Sequence, residues 1–308
     1  MFGKTRIQGI VVHTHRRLKG AESRTGFLLI LPAIIAFCLM IVYPLGRSVT
    51  LAFFRYDLFT PRPVFAGLSN FRRIVSSPQL MGSWVRTMFF VATTTSLTFV
   101  LGLTWALILN QPFRGRNLIR PLSLLPWVFP SVVTAFLWSW IFNGQYGVLN
   151  AVLLQLGIID ERIIWLATGP GAMAAVIITK MWISIPLFMA FFLAGLQSVP
   201  NELCDAVRVD GGHNWHLLRY VALPHLRYTM VIVSVIGAMG NLQEFDRIYA
   251  ITQGGPVRAT TVLSIEVYRQ AFENWNTGLA AAIGVIWILT LAGPVIIYLR
   301  SLFRSDVR

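Results

Sequence analysis

Six apolar stretches dominate this chain, beginning near Gly26, Trp84, Leu118, Ala172, Tyr228 and Leu279 and ending near Phe54, Ile108, Phe142, Leu196, Ile251 and Phe303. Each holds the roughly 20 residues that an α-helix needs to cross about 30 Å of hydrocarbon. Inside lipid the backbone must bond to itself, so only helices or a closed barrel can span. Barrel strands would alternate apolar and polar residues, and these runs do not. The pattern predicts an all-α membrane protein with six transmembrane helices. Prolines 121, 126, 130 and 186 fall in or beside these spans, and the first span is free to bend at Pro44.

Composition agrees. Only 12% of the 308 residues are charged, against 56% hydrophobic, and the charges cluster between the apolar blocks. A net charge of +14 would suggest nucleic acid in a soluble protein. Here basic loops meeting anionic headgroups account for it, with membrane lipid rather than nucleic acid as the partner. An even number of spans puts both termini on one side. Placing them in the cytoplasm assigns fifteen of the 26 Lys and Arg residues to cytoplasmic segments and nine to outer ones. This bias predicts cytoplasmic N and C termini. The chain divides into a basic cytoplasmic segment, 1–25, and a membrane domain, 26–308. The run from Gly26 to Tyr43 is long for a signal core and lacks a small-x-small cleavage site, so it reads as a retained first span.

The segment FAGLSNFRRIVSSPQLMGSW is too polar to span, and Phe71, Ile74 and Val75 fall on one helical face. It reads as an amphipathic helix on the outer surface. Cys38 and Cys204 lie in different environments, so neither a disulfide nor a metal site is expected. No CxxC, HExxH, GxSxG or GxxxxGK[ST] motif occurs, so no cofactor and no enzymatic activity is expected of this chain.

One polar stretch interrupts the apolar pattern: DAVRVDGGHNWHLLRYVALP, residues 205–224. Asn201 is suited to cap a helix starting at Glu202. Gly211-Gly212 ends that helix through a left-handed turn. Asn214 is suited to cap a second, WHLLRYVAL, which stops at Pro224. Two short helices bent at a diglycine offer a compact wedge to a groove on another protein. A solvated amphipathic loop is the other reading of the same residues.

Charge inside a span is expensive and marks function by default. Lys180 lies in the fourth span; Asn241, Gln243, Glu244, Asp246 and Arg247 lie in the fifth. Lys180 and Glu244 stand at similar depths, roughly 12 Å and 10 Å from the outer ends of their spans. Either Lys180 receives an anionic group of a solute, or it pairs with Glu244 or Asp246. Gly237 and Gly240 leave room nearby for a ligand or a close helix. Glu244, Asp246 and His225 do not converge on one depth, which argues against a membrane enzyme.

The interruption resembles the coupling-loop motif of ATP-binding-cassette importer permeases: Glu-Ala-Ala, three residues, Gly, nine residues, Ile, one residue, Leu-Pro. This chain has Asp205-Ala206-Val207, Gly211, Val221 and Leu223-Pro224 at that spacing. LPAIIAFCLMIVYPLGRSV, FAGLSNF, LLPWVFPSVV, FLAGLQSVP, FDRIYAITQGGP and GLAAAIGV are similar to the sugar-importer branch, the last but one to its maltose, trehalose and glycerol-phosphate type. The resemblance implies a type I importer permease fold in the bacterial cytoplasmic (inner) membrane. It implies a subunit of an ATP-driven, binding-protein-dependent importer of a sugar or sugar derivative. Its partners would be an ATPase subunit dimer, a second homologous permease and an extracytoplasmic solute-binding protein. ATP and magnesium would sit on the ATPase, which explains the missing phosphate loop. Asp205 is one methylene shorter than the family's Glu, and Val207 is bulkier than its Ala. Maltose-type permeases take their sugar on two helices, and the matching positions here are Lys180, Ile183, Ser184, Leu187, Gly237, Gly240 and Asn241. The alternative is an ion-coupled secondary transporter, which would usually show internal repeats; none is clear in this sequence.

Overall fold

The computed structural model describes residues 25–57 and 59–303. All but one residue of the basic segment expected at 1–25 lies outside these. Among the described residues the regular structure is helical apart from one hairpin, β1 (Phe54–Asp57) and β2 (Thr60–Phe65), paired antiparallel with Phe54 opposite Phe65. In order the helices are α1 (Thr25–Leu51), α2 (Ser69–Ser76), α3 (Pro78–Asn110), α4 (Arg116–Val128), α5 (Ser131–Ile141), α6 (Val148–Gln155), α7 (Gly169–Gln197), α8 (Asn201–Val209), α9 (Asn214–Leu242), α10 (Asp246–Thr252), α11 (Leu263–Tyr268) and α12 (Thr277–Phe303). Five of them, α1, α3, α7, α9 and α12, are long and apolar enough to cross a membrane.

The sixth expected span, 118–142, is not one helix. It is α4 and α5, bent by 95°. Phe129 precedes Pro130 and is extended, at φ −67° and ψ 136°. A proline disfavours helical dihedrals in the residue before it, so the helix ends there. The pair completes six spans only if both halves count as one.

Two other prolines are absorbed instead. Before Pro44 the backbone makes a wide turn in which the Tyr43 N–H bonds the Cys38 carbonyl. Before Pro224 the Leu223 N–H bonds the Leu218 carbonyl in the same way. Each bond reaches five residues back, a π-turn that makes space beside the proline ring. The second helix of the 201–224 hairpin therefore does not stop at Pro224. It runs on as α9 to Leu242, where the expected span to Ile251 breaks at Gln243–Phe245 before α10.

α3 and α7 form the central pair. At the end bearing α8, Ala106, Leu109, Phe188, Met189, Phe192, Leu196 and Leu226 make one core. At the opposite end, Ala52, Ile74, Leu80, Leu263, Leu279 and Ala282 make another, joining the end of α1, α2 and α3 to α11 and α12. A third holds Phe90, Met173, Val176, Ile248 and Ile265. α1 buries none of its apolar window.

On α2 the expected face is half right. Ile74 is buried, but Val75 is exposed and Asn70 faces inward in its place. Asn70 Nδ2 donates to the Ala52 and Phe54 carbonyls, both at 2.9 Å. Those carbonyls lie past the end of α1, where the helix no longer satisfies its own acceptors. Asn70→Ala strands them, and thermal unfolding in detergent should show a loss of about 1–3 kcal/mol.

Candidate functional site

Two places carry the residues that the sequence marks. The first is the hairpin at one end of the bundle. α8 starts at Asn201 itself, with Pro200 as the flanking residue, so Asn201 is the first helical residue and not the cap. Glu202 in the first turn complements the helix dipole. Gly211 takes φ +77°, and its N–H bonds the Arg208 carbonyl at 3.1 Å while the Gly212 N–H bonds that of Val207 at 2.8 Å. This pair of bonds closes a Schellman turn, in which the left-handed residue is usually glycine. His213, not Asn214, caps α9: its N–H donates to His216 Nδ1 at 3.1 Å, and its carbonyl accepts from the His216 N–H at 2.8 Å.

The hairpin stands away from the bundle. α8 has no buried residue, and Val209 is 87% exposed. Asp205 pairs with Arg208 at 3.0 Å in the open, and Ala206 is exposed beside it. Val207, Val221 and Leu223 are half-buried, and Pro224 is exposed. The root is fixed: Ser198 Oγ at the end of α7 meets His225 Nε2 at 3.0 Å, and Leu226 is fully buried.

The second place is a charged corner where α9 breaks. Lys180 Nζ lies 2.5 Å from Glu244 Oε2. Arg247 reaches both oxygens of the same carboxylate, at 2.9 and 3.1 Å. All three are withdrawn from solvent, the Glu244 side chain to 4% exposure. Of the two partners open to Lys180, the structure brings it to Glu244; Asp246 is exposed and accepts instead from Ser131 Oγ at 2.9 Å. Arg247 Nε also donates to Thr134 Oγ1 at 3.3 Å, and Ser264 Oγ to the Glu244 carbonyl at 2.6 Å. The corner thus ties α7 to α5, α10 and α11. Sequence reasoning assigned Arg247 no partner; its i+3 spacing from Glu244 was the available signal.

The remaining candidate positions divide. Ser184 and Leu187 are half-buried, and a side chain at Gly240 would meet open space. Ile183 is buried, and Asn241 is buried with its Nδ2 donating to Thr95 Oγ1 at 2.9 Å. Gly237 leaves no room for a ligand: a Cβ there would come within 2.4 Å of Phe188 Cζ, so the space is filled by that ring. Trp182 is covered too, stacked on Phe129 and edge-on to Trp138.

Residues 98–302 match the family described as binding-protein-dependent transport system inner membrane component. The chain belongs to this family. Among its curated relatives, the permease is 32% identical to the trehalose/maltose transport system permease protein MalF of Thermococcus litoralis, over 94% of this chain and 98% of that one. It is 31% identical to the sulfoquinovosyl glycerol transport system permease protein SmoG of Agrobacterium fabrum, over 91% and 90%. Its fold matches a chain from the crystal structure of a bacterial transporter that imports the acidic polysaccharide alginate, with a TM-score of 0.78 at 22% identity, covering 94% of this permease and 98% of that chain. The fold is thus that of an ATP-binding-cassette importer permease, and the protein crosses the membrane several times.

Proposed function

We propose that this permease imports a carbohydrate or carbohydrate derivative, with ATP hydrolysed on a separate dimeric ATPase that grips the 201–224 hairpin. The observation that carries the reading is the hairpin itself: a turn closed by its own backbone, exposed along α8 and rooted at Ser198–His225 and Leu226. An element that buries nothing of its own at one helix, yet is held rigid, is suited to fill a groove elsewhere. The hairpin end faces the cytoplasm in this reading, with the termini on the same side. A second, homologous permease completes the cavity, and relatives that act on trehalose/maltose and sulfoquinovosyl glycerol support a carbohydrate as the solute.

The solute-binding protein meets the opposite end. There the Gln253–Thr261 loop is held by Thr260 Oγ1 on the Gly255 carbonyl, Thr261 Oγ1 on that of Gly254 and Arg269 on that of Gln253. The ion pair of Arg258 with the buried Glu266 anchors it, and Val257 at its tip is fully exposed. Solute passes the charged corner with Lys180, Ser184, Leu187, Gly240 and Glu244 as its polar and open positions. Reconstitution with the second permease, the ATPase and the binding protein tests the whole reading. Solute-loaded binding protein should raise ATP hydrolysis, and a rate indifferent to it would refute coupling.

Lys180 is already engaged by Glu244, so an anionic solute would have to compete with that carboxylate. Lys180→Gln is therefore expected to lower uptake of a neutral and of an anionic sugar to the same extent. A loss confined to the anionic sugar would show that the solute, and not Glu244, is the partner that matters.

A further inference from the structure

Four aromatic rings lead away from the charged corner, and neither the coupling hairpin nor the ion pairs make use of them. Phe245 follows Glu244 directly. Its ring stacks on Tyr249 at 5.2 Å, with the planes 15° apart. Tyr268 of α11 lies against both, 5.3 Å from Phe245 and 5.0 Å from Tyr249. Phe272, one turn beyond Tyr268, continues the series at 5.3 Å and is 63% exposed. The rings form one ladder from the residue before α10 to the turn after α11, closed at the Glu244 end and open at Phe272.

Helix packing accounts for Phe245, which lies with Tyr249 against the Phe90–Ile265 core. Tyr268 and Phe272 stand outside that core. The Tyr249 and Tyr268 hydroxyls are hydrogen-bonded to each other, which gives each phenol a polar neighbour. That core does not call for a phenylalanine at the bare end of the series. A lipid-facing aromatic belt would sit on the faces of the spans. This ladder sits instead on the short helices beside the break in α9, continuous with the Lys180–Glu244–Arg247 corner. Flat apolar faces edged by hydroxyls match a pyranose ring, whose axial C–H groups are apolar and whose rim carries hydroxyls.

We propose that Tyr249, Tyr268 and Phe272 form a stacking subsite that receives a pyranose ring of the solute ahead of the charged corner. The proposal rests on the carbohydrate-importer reading and adds to it a place where the ring lies. Reconstituted transporter, with its ATPase and binding protein, is offered trehalose, a uronic-acid disaccharide and glycerol 3-phosphate, which has no ring. Tyr268→Leu and Phe272→Ala should raise KM for a transported disaccharide about fivefold to tenfold. Tyr268→Phe, which keeps the ring, should stay within about twofold of the parent. Glycerol 3-phosphate, if carried, should be unaffected by all three. An unchanged disaccharide KM in both ring-removing variants overturns the subsite and leaves the importer reading intact. So does transport of glycerol 3-phosphate alone. An equal loss on the ringless solute marks the rings as structural and overturns the subsite as well. Coupled ATPase activity with uptake of none of the three probes overturns the subsite together with the carbohydrate reading.

Discussion

Glu244→Gln is expected to be the most damaging single substitution in the membrane interior. The change is nearly isosteric, so shape is kept and charge is lost. Lys180 and Arg247, at 13% and 12% side-chain exposure, then face each other across a neutral amide. Removing one partner of a buried ion pair costs about 3–5 kcal/mol, because the charge left behind is neither solvated nor neutralised. That is a large share of the roughly 5–15 kcal/mol that holds a domain together. Lys180→Gln should cost less, about 1 kcal/mol, since Arg247 still holds both carboxylate oxygens. The double variant should fall between them, with one cation stranded in place of two. Thermal unfolding of purified protein in detergent gives the order directly. Equal effects of Glu244→Gln and Lys180→Gln would mean that the corner is wet and that the pairs contribute little.

Gly211→Leu should separate transport from folding. At φ +77° a Cβ is strained by about 1–2 kcal/mol wherever it points, although space around it is open. The chain relieves that strain most readily by opening the Schellman turn and letting α8 swing. No core residue is disturbed, so insertion and thermal stability should stay near those of the parent. Stimulation of ATP hydrolysis by loaded binding protein should drop about tenfold or more, the factor expected when about 1.4 kcal/mol of docking free energy is lost. Asn tolerates the left-handed region, so Gly211→Asn should retain most of the activity. Full transport by Gly211→Leu would refute a rigid docking element.

Each agreement and each difference between sequence and structure has a physical cause. Hydrophobic length located five spans well, since burial in lipid is set by local composition. The depth argument brought Lys180 to Glu244 because two helices crossing one bilayer share a ruler. The diglycine turn was legible because only its backbone conformation was at issue. Proline misled in both directions. Pro130 broke a span that hydrophobicity read as whole, while Pro224 sat inside a helix that rule-based reading ended there. The difference lies in the turn before each: a π-turn makes room for Pro224, and nothing does so for Pro130. Caps were misplaced by one residue because Asn is an intrinsically good cap, and a His213–His216 exchange of bonds outweighed Asn214. Gly237 was read as room for a ligand or for a close helix, and Phe188 from the neighbouring helix makes it the second. That contact depends on tertiary register, which a single chain pattern does not carry.

The uninterrupted run of α9 from Asn214 to Leu242 has a mechanical consequence. Its 29 residues extend for roughly 43 Å as one strut. A displacement applied next to Gly212 has no flexible joint to dissipate in before Gln243–Phe245, where the strut ends beside Glu244. A thrust at the hairpin would thus be carried along one helix to the ion-paired corner, where the proposed solute path meets the break.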